Sequence, residues 1–87
     1  MTIKRFIGYR PAPPAEYIEK GITNASDVNP DYEGVMFSDG TVVLRWCTEY
    51  RSHSVWESYE SFYQVHGHPE YGTLIKWLDD DVPTVVF

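Results

Sequence analysis

Cysteine, long apolar runs and basic residues are all scarce in this sequence. The single cysteine, Cys47, cannot form a disulfide within the chain. No segment approaches the roughly 20 consecutive apolar residues that a membrane-spanning helix needs. Lys4 and Arg5 are not followed by the apolar core of a signal peptide. These absences predict a soluble protein that acts in the cytoplasm and does not bind a membrane.

The few basic residues are concentrated at the start of the chain. Residues 1–20 contain four Lys or Arg against two Glu, whereas residues 21–87 contain three against eleven carboxylates. The net charge is −6. Because phosphate affinity comes chiefly from Lys and Arg, this balance disfavours direct binding to nucleic acid. It is compatible with a cationic protein partner.

Aromatic residues, by contrast, are abundant. Three Trp, seven Tyr and four Phe occur in 87 residues, which is the length of one domain, residues 1–87. A domain of this size buries only about 60% of the surface of its unfolded chain. So small a core cannot hold every ring, and some Tyr and Trp should remain exposed. Exposed Tyr and Trp favour a protein-binding surface.

The centre of the chain predicts a β-hairpin. Asp39-Gly40 lies between two apolar runs and suits a type I′ turn, which needs positive φ at both central residues. After this turn, residues 41–51 alternate between two faces. The face expected to meet the core consists of Val42, Leu44, Trp46, Thr48 and Tyr50. The opposite face includes Val43, Arg45, Cys47, Glu49 and Arg51.

Two short helices are predicted from the residues at their ends. The first covers residues 14–20, begins with proline and is followed by Gly21. The second covers residues 59–66, with Ser58 as its N-cap and Gly67 at C′, the position after its C-cap. The apolar residues of the second helix fall on one face, so this helix is expected to pack on the sheet.

Further strands are predicted from alternating patterns at residues 2–9, 54–56 and 73–78, the first of them at a sheet edge. The apolar segment 82–87 should dock on this sheet or on a second copy of the chain. With the hairpin, these strands predict an α+β fold. It consists of an antiparallel sheet of five or six strands with a short helix packed on one face.

No catalytic, cofactor or metal motif stands out. His66 and His68, with His53 and Cys47, are residue types that bind zinc, but a single His-x-His lacks a second ligand pair at finger spacing. A pair of Cys47 with a histidine lacks an oxyanion loop. We therefore expect no catalytic residues, no cofactor and no metal. A small metal-binding protein or Cys/His enzyme is the alternative.

Carboxylates are dense between residues 57 and 81. Glu57, Glu60 and Glu70 are candidates for an acid–base pair, but carboxylates around a short surface helix are usually solvated. With the three aspartates at 79–81, they raise another alternative, an acidic protein that mimics the phosphates of DNA. Arg45 is expected to lie opposite a carboxylate on the neighbouring strand.

Four segments carry a resemblance to a known family. They are Gly34-Val-Met-Phe-Ser-Asp-Gly-Thr-Val-Val-Leu-Arg-Trp46, Ser54-Val-Trp-Glu-Ser58, Val65-His-Gly-His68 and Thr73-Leu-Ile-Lys-Trp-Leu78. Residues 34–78 resemble a family of small uncharacterised proteins of actinobacteria and their phages. The resemblance implies a small cytoplasmic accessory protein, encoded by a phage and acting on a host component. It implies no catalytic activity.

Together these observations predict a non-enzymatic protein that binds a host or phage protein through an aromatic-rich acidic surface, with a homodimer as an alternative. Since one amphipathic helix covers one sheet face, the other face should be at least partly open. The residues predicted to bind are Val43, Arg45, Cys47, Glu49 and Arg51. The alternative is that the helix at residues 14–20, or the segment Val85–Phe87, covers this face.

Overall fold

The computed structural model describes residues 3–79, which form a five-stranded antiparallel sheet with a helix packed on one face. The strands are β1 (Lys4–Tyr9), β2 (Tyr32–Met36), β3 (Val42–Trp46), β4 (His53–Trp56) and β5 (Leu74–Trp77). The helices are α1 (Ala15–Glu19), α2 (Tyr59–His66) and a 3-10 turn (Pro69–Tyr71). The strand order is β4-β3-β2-β1-β5. The predicted α+β class is confirmed, and the apolar segment 82–87 lies outside the described residues.

β1 lies inside the sheet, between β2 and β5. The prediction of an edge strand was therefore wrong. Charged residues such as Lys4 and Arg5 often block pairing at a sheet edge. Arg5 instead forms two side-chain hydrogen bonds with Asp79, both 2.9 Å long, beside the end of β5. Within residues 3–79, no helix is long and apolar enough to cross a membrane.

β2 and β3 form the predicted hairpin, but the turn differs from the prediction. The N–H of Phe37 donates to the carbonyl of Thr41 at 2.8 Å, and the N–H of Gly40 donates to the carbonyl of Phe37 at 2.9 Å. Gly40 has a φ of 95°, whereas Asp39 does not have positive φ. A left-handed glycine after a turn is typical of a three-residue hairpin loop. The predicted type I′ turn was therefore wrong.

β3 ends at Trp46, well before the predicted strand end at residue 51. One further bond in the same register follows β3, from the N–H of Cys47 to the carbonyl of Asp31 at 2.8 Å, before the chain enters the loop to β4. The predicted core face is confirmed along β3 itself. It is wrong for Tyr50, which lies in the following loop and is 64% exposed.

α2 has the predicted start and a modified end. The N–H of Ser61 donates to the hydroxyl of Ser58 at 3.1 Å, as expected of an N-cap. Gly67 is the C-cap and keeps a helical φ of −66°, so its predicted C′ position was wrong. The left-handed residue is His68, with φ 41°. Glycine is needed at 67 because a Cβ there would lie 2.4 Å from the carbonyl oxygen of Tyr63.

α1 forms within the predicted range and is followed by Gly21, whose φ of 72° suits the end of a helix. The ring of Tyr17 on α1 meets the ring of Tyr71 edge to face, with centroids 6.2 Å apart. α1 therefore lies beside the 3-10 turn that follows α2.

The core lies between the sheet and α2 and is largely aromatic. Its five residues, each at most 1% exposed, are Phe6, Tyr32, Val42, Leu44 and Phe62. The ring of Phe62 on α2 lies 5.7 Å from that of Phe6 and 5.5 Å from that of Tyr32. Burial of such rings supplies most of the hydrophobic stabilisation available to so small a domain.

Candidate functional site

The sheet face opposite α2, which we call the outer face, carries an exposed apolar row. In this row, Val35 lies directly opposite Val43, and Val43 lies directly opposite Val55. The row thus crosses three neighbouring strands. Val55 is 69% exposed, and the other two valines are half-buried. Contiguous apolar surface of this kind is a mark of interaction sites, whereas isolated exposed apolar residues are ordinary.

The neighbouring row of the outer face is charged. Across the five strands, it runs in the order Lys76, Ile7, Glu33, Arg45 and His53. The prediction that Arg45 lies opposite a carboxylate is confirmed, since Glu33 is its partner in β2. Yet these two side chains form no salt bridge. The row contains two permanent cations and one carboxylate, so this part of an acidic protein is locally basic.

An open cavity of about 360 Å³ lies where β1 meets the apolar row. Ile7, Val35 and Val43 line it, together with Leu78. Leu78 follows β5 and is 43% exposed, and its N–H donates to the carbonyl of Arg5 at 2.9 Å. The cavity extends the apolar row toward β5 and gives the outer face a concave part.

Two of the five predicted binding residues, Val43 and Arg45, lie on the outer face. Cys47 lies just beyond β3, with its sulfur 3.7 Å from the carbonyl oxygen of Arg45. Burial, and then the negative charge of Glu33, raise the pKa of the Cys47 thiol. A thiol held in its protonated form is a poor nucleophile and a poor metal ligand.

The other two predicted residues, Glu49 and Arg51, lie in the loop between β3 and β4. The carboxylate of Glu49 packs against Gly21, where a Cβ would lie 2.1 Å from Oε2 of Glu49. Glu49 therefore faces the end of α1. Arg51 is exposed and near enough to Cys47 to act on its thiol electrostatically. The structure thus does not bring all five predicted residues together.

Sequence reasoning missed the outer-face residues of the other strands, Ile7, Val35 and Val55. Alternation within each short strand indicates which residues share a face. It does not indicate which strands are neighbours or how they are aligned. The apolar row depends on that alignment, because its three valines come from three different strands.

The outer face also differs chemically from the predicted aromatic-rich acidic surface. The large rings of Phe6, Tyr32 and Phe62 are buried under α2. Among the carboxylates of residues 57–79, Asp79 bonds to Arg5, and Glu70 lies 2.9 Å from Nδ1 of His68. The partner of Asp79 is a guanidinium and the partner of Glu70 is an imidazole, and these two partners lie in different parts of the fold. Nothing in this arrangement favours a surface that mimics spaced phosphates.

The three histidines lie in three different environments. His66 packs between the rings of Trp46 and Trp56, with centroids 5.1 and 5.3 Å away. His68 stacks on Tyr71 at 4.3 Å, and His53 is exposed on the outer face. In the described part of the chain, no three His, Cys, Asp or Glu side chains are grouped so that they could hold a metal ion.

Comparison with known proteins places these elements in a family. The model of the Acb5 phage protein family matches residues 32–79, which is more than half of the chain. This chain belongs to the Acb5 phage protein family. The predicted resemblance to phage proteins over residues 34–78 is confirmed. The Acb5 match includes β2 to β5 and α2, whereas β1 and α1 precede it. Comparisons with curated proteins and with solved structures gave no match.

Proposed function

We propose that this Acb5-family protein is a non-enzymatic phage accessory protein that binds a host or phage protein through its outer face. The observation that supports the proposal is the row of Val35, Val43 and Val55, which reaches water across three paired strands. An apolar centre with charged residues around it is typical of protein-binding surfaces. The proposed place of action is the host cytoplasm, and the resemblance described above suggests an actinobacterial host.

The partner that we propose presents aliphatic side chains next to carboxylates. Arg45 is exposed beside the valine row and forms no salt bridge with Glu33, and Lys76 is exposed on β5 next to Ile7. Complementary charge across an interface fixes the register of binding and speeds association. A second copy of the chain would bring a second set of the same cations to this interface. We therefore propose a different protein as the partner and treat a homodimer as an outcome of the test.

The test uses two valines of similar exposure on different surfaces. Val55 on β4 is 69% exposed, and Val28 in the loop before β2 is 75% exposed. Tagged wild-type protein, Val55→Glu and Val28→Glu are each incubated with an extract of phage-infected bacteria, and retained proteins are identified by mass spectrometry. We expect the wild type and Val28→Glu to retain the same acidic protein. Val55→Glu should lose it, because a carboxylate would replace an apolar contact.

Three outcomes would contradict the proposal. The first is that no protein is retained at native salt. The second is that all three proteins retain the same partner, which places the interface elsewhere. The third is that light scattering after size exclusion shows a dimer of the wild type that Val55→Glu abolishes, which assigns the outer face to a second copy.

A second pair of variants tests the charged row. Arg45→Glu reverses a cation on the outer face, and Lys20→Glu reverses an exposed cation at the end of α1. A charge at the edge of an interface chiefly affects the association rate and its dependence on salt. We expect Arg45→Glu to slow association with the retained partner and Lys20→Glu to leave the rate nearly unchanged. Equal effects would contradict the proposed charge complementarity.

A further inference from the structure

Arg10 places a cation in the interior of the protein, on the side of the sheet that α2 covers. The residue is 7% exposed, and its Nη2 donates to the carbonyl of His66. Its Nε is buried without a hydrogen-bond acceptor, and the guanidinium forms no salt bridge with a carboxylate of residues 3–79. Because a buried charge is costly unless it is paired, the missing anion requires an explanation.

Aromatic rings compensate for part of this cost. The guanidinium carbon of Arg10 lies 5.5 Å from the ring centroid of Tyr32, 5.2 Å from that of Trp46 and 5.8 Å from that of Tyr71. Each such contact is attractive, because the face of an aromatic ring carries partial negative charge. Rings have no net charge, however, so these contacts do not themselves neutralise the guanidinium.

A cavity of about 260 Å³ includes Arg10 in its wall. Arg10 lines it together with His66 and His68, and Tyr17 and Ile22 supply apolar walls. It shares no lining residue with the cavity on the outer face. Its volume is slightly below the roughly 300–1,000 Å³ of most ligand pockets, which suits a small molecule.

Groups of both signs lie around this cavity, since the buried carboxylate of Asp31 accepts a hydrogen bond of 2.7 Å from the hydroxyl of Thr23, which lines the cavity. Burial, and then the charges of Arg10 and His68, lower the pKa of His66. The nearby carboxylate of Glu70 already has a partner, since it lies 2.9 Å from Nδ1 of His68. An anion that enters the cavity would therefore pair with Arg10 without breaking a salt bridge between Arg10 and another residue of the range 3–79.

We propose that this cavity binds a small organic anion. Its carboxylate or phosphate group pairs with Arg10, and its apolar part lies against Tyr17 and Ile22. Guanidinium groups pair well with both kinds of oxyanion, because both accept charge-assisted hydrogen bonds from the planar N–H fork. This site is independent of the proposed function, since it lies on the other side of the sheet and needs no protein partner.

The first test uses the wild-type protein and therefore does not depend on any variant folding. Phenyl phosphate, benzoate and neutral benzamide are titrated separately while NMR records the Nε–H signal of Arg10 and the ring signals of Tyr17. We expect saturable shifts of both residues with at least one of the two anions and none with benzamide. A response to one anion identifies phosphate or carboxylate as the preferred group. Equal shifts with benzamide, or no saturable shift with any probe, would overturn the proposal.

The second test uses variants and the anion that gives the larger shift. Arg10→Gln removes the charge, and Tyr17→Ala removes an apolar wall but leaves the guanidinium in place. Since a hydrogen bond to a charged group contributes about 1.5–3 kcal/mol, we expect Arg10→Gln to weaken binding by about tenfold or more. Tyr50→Ala, at an exposed ring outside this cavity, should bind like the wild type. Undiminished binding by folded Arg10→Gln overturns the proposal. If Arg10→Gln does not fold, undiminished binding by Tyr17→Ala overturns it.

Discussion

The ring of Phe6 occupies the space that a side chain on Gly34 would need. The two residues lie directly opposite each other in β1 and β2, and a Cβ on Gly34 would lie 2.3 Å from Cζ of Phe6. The converse relation holds between Gly8 and Tyr32, where the distance from the Cβ to the ring would be 2.1 Å. Each strand thus supplies one ring and one glycine, so two large rings fit close to the backbone under α2.

This relationship predicts a cost for any side chain at position 34. Gly34→Ala should lower the free energy of unfolding by about 1–3 kcal/mol, the usual cost of overpacking a core. Urea unfolding followed by tryptophan fluorescence measures it. In the double variant Gly34→Ala with Phe6→Leu, part of the clash disappears. The combined loss should therefore be smaller than the sum of the two single losses. Strict additivity would show that the two sites do not interact.

The N-cap of α2 gives a second prediction. The hydroxyl of Ser58 accepts a hydrogen bond from the N–H of Ser61, which has no partner within the helix. Ser58→Ala should lower the free energy of unfolding by about 0.5–2 kcal/mol, the range measured for N-cap serines. Ser52→Ala, in the exposed loop before β4, is the matched control and should change stability little. An equal effect of both substitutions would contradict the capping role.

A third prediction concerns acid. Side-chain and backbone hydrogen bonds from Arg5 lower the pKa of Asp79 from 3.8 to about 2. A carboxyl with a depressed pKa in the folded protein stabilises the fold above its unfolded pKa, and that contribution is lost as the pH falls toward 2. Asp79→Asn should therefore be less stable than the wild type at pH 6, and the difference should shrink below pH 4. Thermal unfolding across this pH range measures both.

The control for this acid dependence is Asp27→Asn, at an exposed position in the loop between α1 and β2. It should unfold like the wild type at pH 6. A constant difference between Asp79→Asn and the wild type from pH 6 to pH 2 would show that the ionised carboxylate of Asp79 does not contribute.

A fourth prediction concerns His66. Burial, Arg10 and His68 lower the pKa of its imidazole below the ordinary 6.5. The unfolded chain then takes up a proton at higher pH than the folded chain, so this residue destabilises the fold as the pH falls below 6.5. An NMR titration should place the midpoint of His66 below that value. A midpoint at or above 6.5 would contradict the combined effect of burial and of the neighbouring charges on His66.

The sequence predicted the structure best where the residues that determine an element lie within that element or next to it. Alternation along β3 predicted that Val42 and Leu44 are buried, and both are fully buried. The residues flanking α2 predicted its start at Ser58. The Asp39-Gly40 dipeptide was ambiguous in physical terms, because a glycine with positive φ fits both a type I′ turn and a three-residue loop. The backbone of Asp39 decides between them, and its φ cannot be read from residue type.

The sequence was least informative where residues distant in the chain come together. Whether β1 is an edge strand depends on β5, which is far from it in the sequence. The apolar row of the outer face depends on the alignment of three strands. Residue type gave no indication that Arg10 is buried, since charged residues are usually exposed. Its burial results from contacts with Trp46, the carbonyl of His66 and Tyr71.

Because β1 lies between β2 and β5, the sheet forms late during synthesis of the chain. Among the five strands described, β1 is made before the others, whereas β5, one of its two neighbours, is made last. Within residues 3–79, β5 pairs with β1 alone, so this five-stranded sheet cannot close until β5 has been made. Pairing between such distant segments slows folding. The Acb5 match begins at residue 32, after β1. A chain that began there would lack the strand that joins β5 to the rest of the sheet.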